Sequence, residues 1–211
     1  MSKRIAFLLS GSGSTLANLL KHIESDAVPA QVVKVISSRS HVRGLEIASE
    51  ADIPSSVIRR RDYEDTEAFS EAISAELDEC EPDLVVFGGF MCYYLPPERY
   101  LQRIINVHPA LIPAFCGKGM YGDHVHEAVL EYGVKVTGCT VHFVDEIYDH
   151  GPIIAQNVVE VEPDDTVESL RERVRSEERK LLPQVVKLIC EDRISVSGRK
   201  VRVLPPKGNS Q

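Results

Sequence analysis

Three short polar segments of this sequence combine residue types that can carry out chemistry. They read SGSGST at positions 10–15, NVHP at positions 106–109 and DHGP at positions 149–152. The first offers backbone N–H groups that can bind an anion, and the other two offer an amide, an imidazole and a carboxylate. Such a set suits a reaction in which negative charge develops on a carbonyl oxygen while a proton is transferred.

The segment at 10–15, called here the glycine-rich turn, lies between a predicted strand and a predicted helix. Its glycines let the backbone turn sharply, and the free N–H groups of a helix start favour an anion. It is not a dinucleotide-binding motif, because Leu16 replaces the third glycine and no acid follows the next strand at 37–39. No lysine follows it as in a Walker loop. The residues alone leave two alternatives, a phosphate site or a tight turn with a serine cap.

Asn106 and His108 stand at the predicted C-terminal end of a strand. Alternation along a strand puts residues two apart on the same side, and ligands bind at this edge of an open parallel sheet. We therefore expect the two side chains to converge on one point, where the amide donates a hydrogen bond and the imidazole holds or gives a proton. The alternative is a buried pair that satisfies loop backbone before the turn at Pro109.

Asp149 precedes the turn that Gly151 and Pro152 impose between two predicted strands. A carboxylate at this position can point at the same edge of the sheet and pair with His108, because a neighbouring negative charge stabilises imidazolium. The two residues would then handle a proton together. The alternative is an aspartate that forms an Asx-turn with its own backbone.

The histidines near the predicted helix at 123–132 raise the alternative of a metal site. Asp123, His124 and His126 are close together, and His142 follows. A spacing of two residues does not put both rings on one helical face, unlike the spacing of four in zinc-binding helices. We therefore expect no metal, and we expect Asp123 to cap the helix.

The elements that must position these segments alternate along the first two thirds of the chain. Apolar, β-branched runs predict strands at 5–9, 31–36, 56–58, 84–87 and 104–107, and amphipathic stretches predict helices at 15–24, 43–51, 66–79 and 97–101. Beyond them we predict a helix at 123–132, strands at 135–143 and 153–161, a helix at 166–190 and a hairpin at 193–204. The pattern is typical of βαβ units. It predicts an α/β protein with a Rossmann-like, open twisted and mostly parallel sheet and helices on both faces.

Composition and charge restrict the class of protein. A chain of 211 residues without an internal repeat or a convincing linker predicts one domain over residues 1–211. The net charge of -8 argues against a nucleic-acid partner, because phosphate backbones bind Lys/Arg-rich faces. Five cysteines without a CxxC pair, and no apolar run long enough for a signal peptide or a membrane span, indicate a cytoplasmic protein without a membrane partner.

Over about its whole length the chain resembles the folate-dependent formyltransferases, and among them the phosphoribosylglycinamide formyltransferases. The resemblance rests on segments that occur in the family's order: LSGSGSTL at 9–16, GGFM at 88–91, NVHPALIP at 106–113, TVHFV at 140–144 and DHGPIIAQ at 149–156. An Asn-x-His-Pro segment followed by Asp-x-Gly-Pro is specific to this family. The resemblance therefore favours the functional alternative for each of the three polar segments.

The resemblance also implies roles for individual residues. It implies a C-terminal half that is folate-binding and catalytic and an N-terminal half that binds glycinamide ribonucleotide (GAR) and its phosphate. The implied catalytic residues are Asn106, His108 and Asp149, and the implied phosphate-binding residues are Gly11, Ser12, Gly13, Ser14 and Thr15. Glu178 is implied to contact the amine side of GAR, and Phe90, Met91, Val144, Asp145 and Glu146 to contact the folate.

The chain departs from the family pattern in three places. Residues 92–94 read CYY where an arginine and aliphatic residues are common, so the folate side differs. Thr15 stands where asparagine is frequent, which changes the reach of that side chain. The segment CGKGMYG at 116–122 is longer than usual, and we expect it to act as a lid over the substrate.

The resemblance implies an enzyme of purine biosynthesis that transfers a formyl group from its co-substrate formyltetrahydrofolate to the amine of GAR. It implies these two small molecules as partners, no metal, and a monomer or homodimer. Alternatives are a formyltetrahydrofolate hydrolase, another amine formyltransferase, or a non-catalytic phosphometabolite-binding protein. The hydrolase usually adds an N-terminal domain and the transfer-RNA enzyme a C-terminal one, whereas the matched fold begins here at about Arg4. The joint presence of Asn106, His108 and Asp149 argues against a protein that only binds.

Overall fold

Continuous apolar runs form the central strands of the molecule. The computed structural model describes residues 2–206, and it contains one seven-stranded sheet with the spatial order β3-β2-β1-β4-β5-β6-β7. The strands are β1 (Lys3–Leu9), β2 (Ala30–Ser37), β3 (Ser55–Val57), β4 (Leu84–Phe87), β5 (Ile104–His108), β6 (Val136–Phe143) and β7 (Ile153–Glu160). The first five run parallel, and β6 and β7 are antiparallel to their neighbours. The predicted mostly parallel sheet is confirmed. Met1 and residues 207–211, which the single-domain prediction includes, lie outside the described residues.

Amphipathic stretches form the helices between the strands. They are α1 (Ser14–Glu24), α2 (Arg43–Glu50), α3 (Thr66–Cys80), α4 (Asp123–Tyr132) and α5 (Val167–Cys190), with 3-10 turns at Arg60–Asp62 and Glu98–Tyr100. The second 3-10 turn is all that forms of the helix predicted at 97–101. A residue that precedes a proline disfavours helical backbone, so a helix cannot begin before Pro97. At the other end, Gln102 adopts a left-handed φ of 59°, which ends the turn.

Helices cover both faces of the sheet, and the side chains of β1 show which helices bury each face. Ile5, Phe7 and Leu9 belong to one fully buried cluster, which includes side chains of α1 and α5. Ala6 and Leu8 point to the other face and join a second cluster with side chains of α3. Because successive side chains of a strand point to opposite faces, a continuous apolar run is what a strand buried on both sides requires.

The sheet order creates a crevice beside β1. β1 lies between β2 and β4, so the chain winds away from it in both directions. In open α/β sheets, ligands bind outside the carboxyl ends of the strands at such a point. The glycine-rich turn follows β1 directly and residues 88–91 follow β4, so both lie at this position.

The last strands and the tail complete the framework. Phe143 of β6 pairs with Ile105, so the loop between β6 and β7 starts level with the beginning of β5 and not with its end. The predicted hairpin at 193–204 is confirmed as a separate two-stranded sheet of β8 (Ile194–Ser197) and β9 (Lys200–Val203). Within residues 2–206, no helix combines the length and the apolar character that a membrane crossing needs.

Candidate active site

A cavity of about 690 Å³ opens at the carboxyl ends of β1, β4 and β5. Its walls include the glycine-rich turn, the segment at 117–122 and part of α5. The predicted site residues that line it are Gly11, Ser12, Gly13, Ser14, Thr15, Phe90, Met91, Asn106, His108, Asp149 and Glu178. One cavity thus collects residues from both halves of the chain.

Asn106, His108 and Asp149 meet at one wall of this cavity. The amide of Asn106 donates from Nδ2 to Oδ1 of Asp149 at 3.4 Å, and Nδ1 of His108 lies 3.5 Å from Oδ2 of Asp149. Asn106 and His108 are two residues apart on β5, as the alternation argument requires. Asp149 reaches them from the loop between β6 and β7. The side chains that the sequence analysis grouped together are therefore neighbours.

His108 is buried, with 3% of its surface exposed, and burial governs its charge. Burial lowers the pKa of His108 below its ordinary value, and the negative charge of Asp149 only partly opposes this effect. Nε2 donates a hydrogen bond to the carbonyl oxygen of Phe115 at 2.8 Å. Sequence reasoning considered the carboxylate and not the burial of His108. It therefore expected an imidazolium, whereas burial favours the neutral ring.

Asp149 carries the negative charge of the site. Burial opposes its ionisation, but contacts with His142, His108 and the backbone N–H of Gly117 outweigh burial and hold the pKa of Asp149 below its usual value. The N–H of Gly117 donates to Oδ2 at 2.9 Å. Asp149 has a left-handed φ of 50°, a region that Asp tolerates better than most residues. Its side chain is bonded across the site, so the Asx-turn alternative does not account for it.

His142 is a member of this group that sequence reasoning did not assign to it. It lies opposite Asn106 in the antiparallel register of β5 and β6, and it is 2% exposed. Its Nδ1 donates to the carbonyl oxygen of Phe143 at 2.8 Å, and its Nε2 lies 3.3 Å from Nδ2 of Asn106. Nε2 also lies 3.6 Å from Asp149. The pairing of β5 with β6 is what brings His142 to Asn106. Both strands were predicted, but the register between them was not.

The glycine-rich turn lines the cavity at the start of α1. Helix α1 starts at Ser14 after Gly13, which has a φ of 69°, and no side chain caps this end of the helix. The alternative of a serine cap is therefore wrong. A Cβ added at Gly13 would lie 2.5 Å from Cα of Gly44, whereas a Cβ at Gly11 meets nothing within 4 Å. Glycine at position 13 is needed for the close approach of the two segments, and glycine at position 11 is not.

Basic side chains on α5 also line the cavity. Arg171, Arg175 and Arg179 line it together with Glu178, and Arg39 lines it from the end of β2. Sequence reasoning missed these four arginines, although a spacing of four residues on an already predicted helix puts three of them on one face. Burial raises the pKa of Glu178 to about 7, against the opposing charges of Arg175 and Arg179.

His126 lines the cavity from α4 and is 3% exposed. Burial lowers its pKa to about 4, and Nδ1 finds no hydrogen-bond partner among residues 2–206. Asp123 does not cap α4 as predicted, because Gly122 occupies the cap position and Asp123 is the first helical residue. The Asp123 carboxylate accepts hydrogen bonds from Arg171 at 2.9 and 3.1 Å instead.

The structure offers no cluster of three or more His, Cys, Asp or Glu side chains suited to a metal ion within its described part. His124 is mostly exposed and pairs with Glu127 at 3.2 Å, whereas His126 faces the interior. The two rings therefore diverge, as their spacing of two residues predicts.

The predicted folate-side residues separate into two groups. Phe90 and Met91 line the cavity, but Val144, Asp145 and Glu146 are absent from its lining within the described residues. Val144 packs against the buried cluster beside α3, and Asp145 is turned towards His150, whose Nδ1 donates to Oδ2 at 2.8 Å. Tyr148 of the same loop lines the cavity and was not predicted. The loop was predicted without its internal hydrogen bonds, which decide which side chains face inward.

Comparison with known proteins relates this site to a family. The sequence profile described as Formyl transferase matches residues 3–186. Phosphoribosylglycinamide formyltransferase of Mycobacterium tuberculosis is 43% identical over 198 residues, which cover 93% of this chain and 89% of that protein. The trifunctional purine biosynthetic protein adenosine-3 of Bos taurus is 40% identical over 200 residues, which cover 93% of this chain. This chain spans only 19% of the length of that larger protein.

A solved structure is similar to this chain over nearly its whole length. The glycinamide ribonucleotide transformylase 1 of Symbiobacterium toebii has a TM-score of 0.90 and 39% sequence identity to this chain, with 97% of this chain and 95% of that chain covered. The match therefore includes the sheet and the helices that cover it. From its sequence profile, its relatives and its fold, this chain belongs to the formyl transferase family, as its motifs predicted.

Proposed function

We propose that this chain transfers a formyl group from formyltetrahydrofolate to the primary amine of GAR, a step of purine biosynthesis. The observation that carries the proposal is the meeting of Asn106, His108 and Asp149 in the cavity that the glycine-rich turn also lines. The names of the relatives above support the choice of acceptor. An amide, an imidazole and a carboxylate in one cavity fit acyl transfer to an amine.

The phosphate of GAR binds at the glycine-rich turn in this proposal. Gly11, Ser12, Gly13, Ser14 and Thr15 supply backbone N–H groups at the start of α1, where the helix dipole favours an anion. Arg39 and the arginines of α5 add positive charge to the same cavity. Glu178 contacts the amine side of GAR, and a pKa of about 7 suits it to accept a hydrogen bond from an amine or to donate one.

The formyl donor binds on the opposite side, against Phe90, Met91 and the loop of residues 144–148. Formyltetrahydrofolate supplies the reactive carbonyl carbon, and the chain supplies apolar and aromatic surface at Met91 and Tyr148. Val144, Asp145 and Glu146 support this side through the backbone of the loop. No metal takes part in the proposed reaction.

The catalytic residues act on the charge that develops when the amine attacks the formyl carbon. Nδ2 of Asn106 and Nε2 of His108 donate hydrogen bonds to the carbonyl oxygen as it becomes negative. In the structure these two donors are bonded to Asp149 and Phe115, so the formyl oxygen replaces one protein acceptor at each of them. Asp149, held in its ionised form, takes the proton that the amine loses and returns it through water to the folate nitrogen that leaves.

We further propose that one domain performs the whole reaction in the cytoplasm, as a monomer or homodimer. Its N-terminal half holds GAR, and its C-terminal half holds the folate and the catalytic carboxylate. All five cysteines are free, which suits a reducing compartment. The negative net charge argues against a nucleic-acid partner.

A formyl-transfer assay with purified protein tests the proposal. Formyltetrahydrofolate is mixed with GAR, with other primary amines, or with no amine, and both formylated product and free tetrahydrofolate are measured. We expect rapid formylation of GAR and little release of tetrahydrofolate without an amine. Release without an amine would identify a hydrolase, and binding of GAR without any turnover would identify a protein that only binds.

A further inference from the structure

The loop that carries Asp149 needs outside support. Residues 144–151, called here the Asp149 loop, connect β6 to β7, and Asp149 itself has a left-handed φ of 50°. At the end of the loop, a Cβ added to Gly151 would lie 1.8 Å from the carbonyl oxygen of Phe143. The loop therefore closes tightly against β6, and its backbone is in a region that most residues avoid.

Arg199, at the tip of the C-terminal hairpin, contacts this loop next to Asp149. Its Nη2 donates to the carbonyl oxygen of His150 at 2.7 Å, and its Nη1 lies 3.1 Å from Nε2 and 3.4 Å from Nδ1 of the same ring. Because both ring nitrogens are nearly equally close to Nη1, the guanidinium lies over the face of the imidazole. Nδ1 of His150 donates to Oδ2 of Asp145 at 2.8 Å. Oδ1 of Asp145 accepts from the N–H of Ile147 at 2.9 Å. One guanidinium thus fixes both the backbone and the ring of the residue that follows Asp149.

Tyr93 contacts the part of the same loop that precedes Asp149 in the chain. It follows β4, and its hydroxyl donates to the carbonyl oxygen of Glu146 at 2.5 Å. Its ring lies 4.8 Å from the ring of Tyr148, measured between centroids. Neither Tyr93 nor Arg199 is among the residues that line the cavity within the described chain. Their contacts therefore act on the loop and not on a ligand.

We propose that Arg199 and Tyr93 are positioning residues that hold Asp149 against His108 and Asn106. Two elements that are remote in sequence fix the backbone on both sides of Asp149. Arg is suited to this because its planar guanidinium can donate to a carbonyl and stack on a ring at the same time. When either contact is lost, Asp149 samples positions away from His108. The proposal rests on the proposed function only where it predicts rates.

The first test is an NMR titration of His108 in Arg199→Ala. Burial and the charge of His142 lower the pKa of His108, while Asp149 and the hydrogen bond to Phe115 raise it. We expect a lower His108 pKa in the variant, because the carboxylate lies farther from the ring on average. An unchanged pKa would overturn the proposal. This measurement needs no turnover, so it remains decisive even if the chain fails to formylate GAR.

The second test separates rate from binding. We expect Arg199→Ala to lower kcat about tenfold at saturating GAR and formyltetrahydrofolate with little change in the KM for GAR, because small displacements of catalytic groups slow turnover strongly. Arg199→Lys should recover part of the rate. Tyr93→Phe, which keeps the ring and removes only the hydroxyl, should lower kcat in the same direction. Normal kcat in both Arg199→Ala and Tyr93→Phe would overturn the proposal.

Arg202→Ala is the matched control. Arg202 is exposed on β9 of the same hairpin, and its side chain makes no hydrogen bond or ion pair to the part of the chain that the structure describes. The change removes the same charge, and we expect wild-type kcat and His108 pKa. An equal loss in both arginine variants would mean that the charge of the hairpin matters rather than the contact with His150, and it would overturn the proposal.

Discussion

The glycine-rich turn and the Asp149 loop face the same cavity but are built in opposite ways. The turn is formed by consecutive residues between β1 and α1, and in the proposed function it binds phosphate through backbone N–H groups. The Asp149 loop depends on residues far away in the chain, since Asn106, Gly117 and Arg199 all contact it. The conformation of the turn is determined by steric fit, whereas the conformation of the loop is determined by charge and hydrogen bonds. We therefore expect changes in the turn to affect binding and folding, and changes in the loop to affect the rate.

The largest expected effect comes from Asp149→Asn. The change removes the negative charge and keeps the size of the side chain, so kcat should fall by at least about a hundredfold while the KM for GAR changes little. The pKa of His108 should fall further below its ordinary value, because the change removes the negative charge that raises it. Steady-state kinetics and NMR titration measure the two effects. Near-normal turnover with an unchanged His108 pKa would remove Asp149 from the catalytic group.

The next effect distinguishes two glycines of the turn. Gly13→Val should lower the free energy of unfolding by about 3 kcal/mol, because the new side chain collides with Gly44 and the left-handed backbone disfavours valine. Gly11→Val should leave stability almost unchanged and raise the KM for GAR more than it lowers kcat, since its side chain enters open space beside the phosphate site.

Chemical denaturation and kinetics on the two variants test this contrast. A substrate analogue without the phosphate is the control, because Gly11→Val should not weaken its use. Equal losses of stability at both positions would contradict the steric explanation. Equal losses with and without the phosphate would contradict the assignment of the turn as the phosphate site.

A smaller effect concerns His126, which lies in the cavity wall. Its pKa is lowered from 6.5 to about 4 by burial, so the unfolded chain binds a proton that the folded protein lacks between these values. Stability should therefore fall as the pH decreases from about 6.5 to about 4, by roughly 2 kcal/mol from this residue. In His126→Gln the dependence on pH should be flatter over this range, as denaturation at several pH values would measure. An identical slope in the variant would mean that other groups cause the acid sensitivity.

The smallest effect concerns residues 117–122, which line the same cavity as the turn and the loop. Gly117, Gly119 and Gly122 all have positive φ, and Lys118 between them is exposed. If this segment closes over the substrates, tryptic cleavage after Lys118 should slow severalfold when GAR and a folate analogue are added. Cleavage after the exposed Lys135, away from the cavity, is the control. Unchanged cleavage at Lys118 with saturating ligands would indicate a static segment.

Sequence periodicity was sufficient for most of the fold. The apolar runs of β1 and β4 and the amphipathic pattern of α3 and α5 are local properties, so the predicted bounds agree with the observed ones to within about two residues. The helix predicted at 97–101 failed because local backbone preferences at Pro97 and Gln102 outweighed a short amphipathic pattern.

The candidate site was harder to predict, and the reason differs between residues. Asn106 and His108 could be paired because they share a strand, but His142 required the register of β6 against β5. Arg199 required the position of the hairpin relative to the Asp149 loop, which no local pattern encodes. The direction of the His108 pKa shift required its burial, which outweighs the nearby carboxylate. Sequence patterns identify which groups are available, while contacts between distant segments decide their charge and their partners.

The hydrogen bond from His108 to the carbonyl oxygen of Phe115 also determines when the imidazole can act on a ligand. The hydrogen on Nε2 is already bonded to the backbone, and burial favours the neutral ring, which is a weaker donor than imidazolium. In the proposed reaction the ring can therefore donate to the formyl oxygen only after its bond to Phe115 is broken. The position of the segment that contains Phe115 thus sets whether His108 is available as a donor.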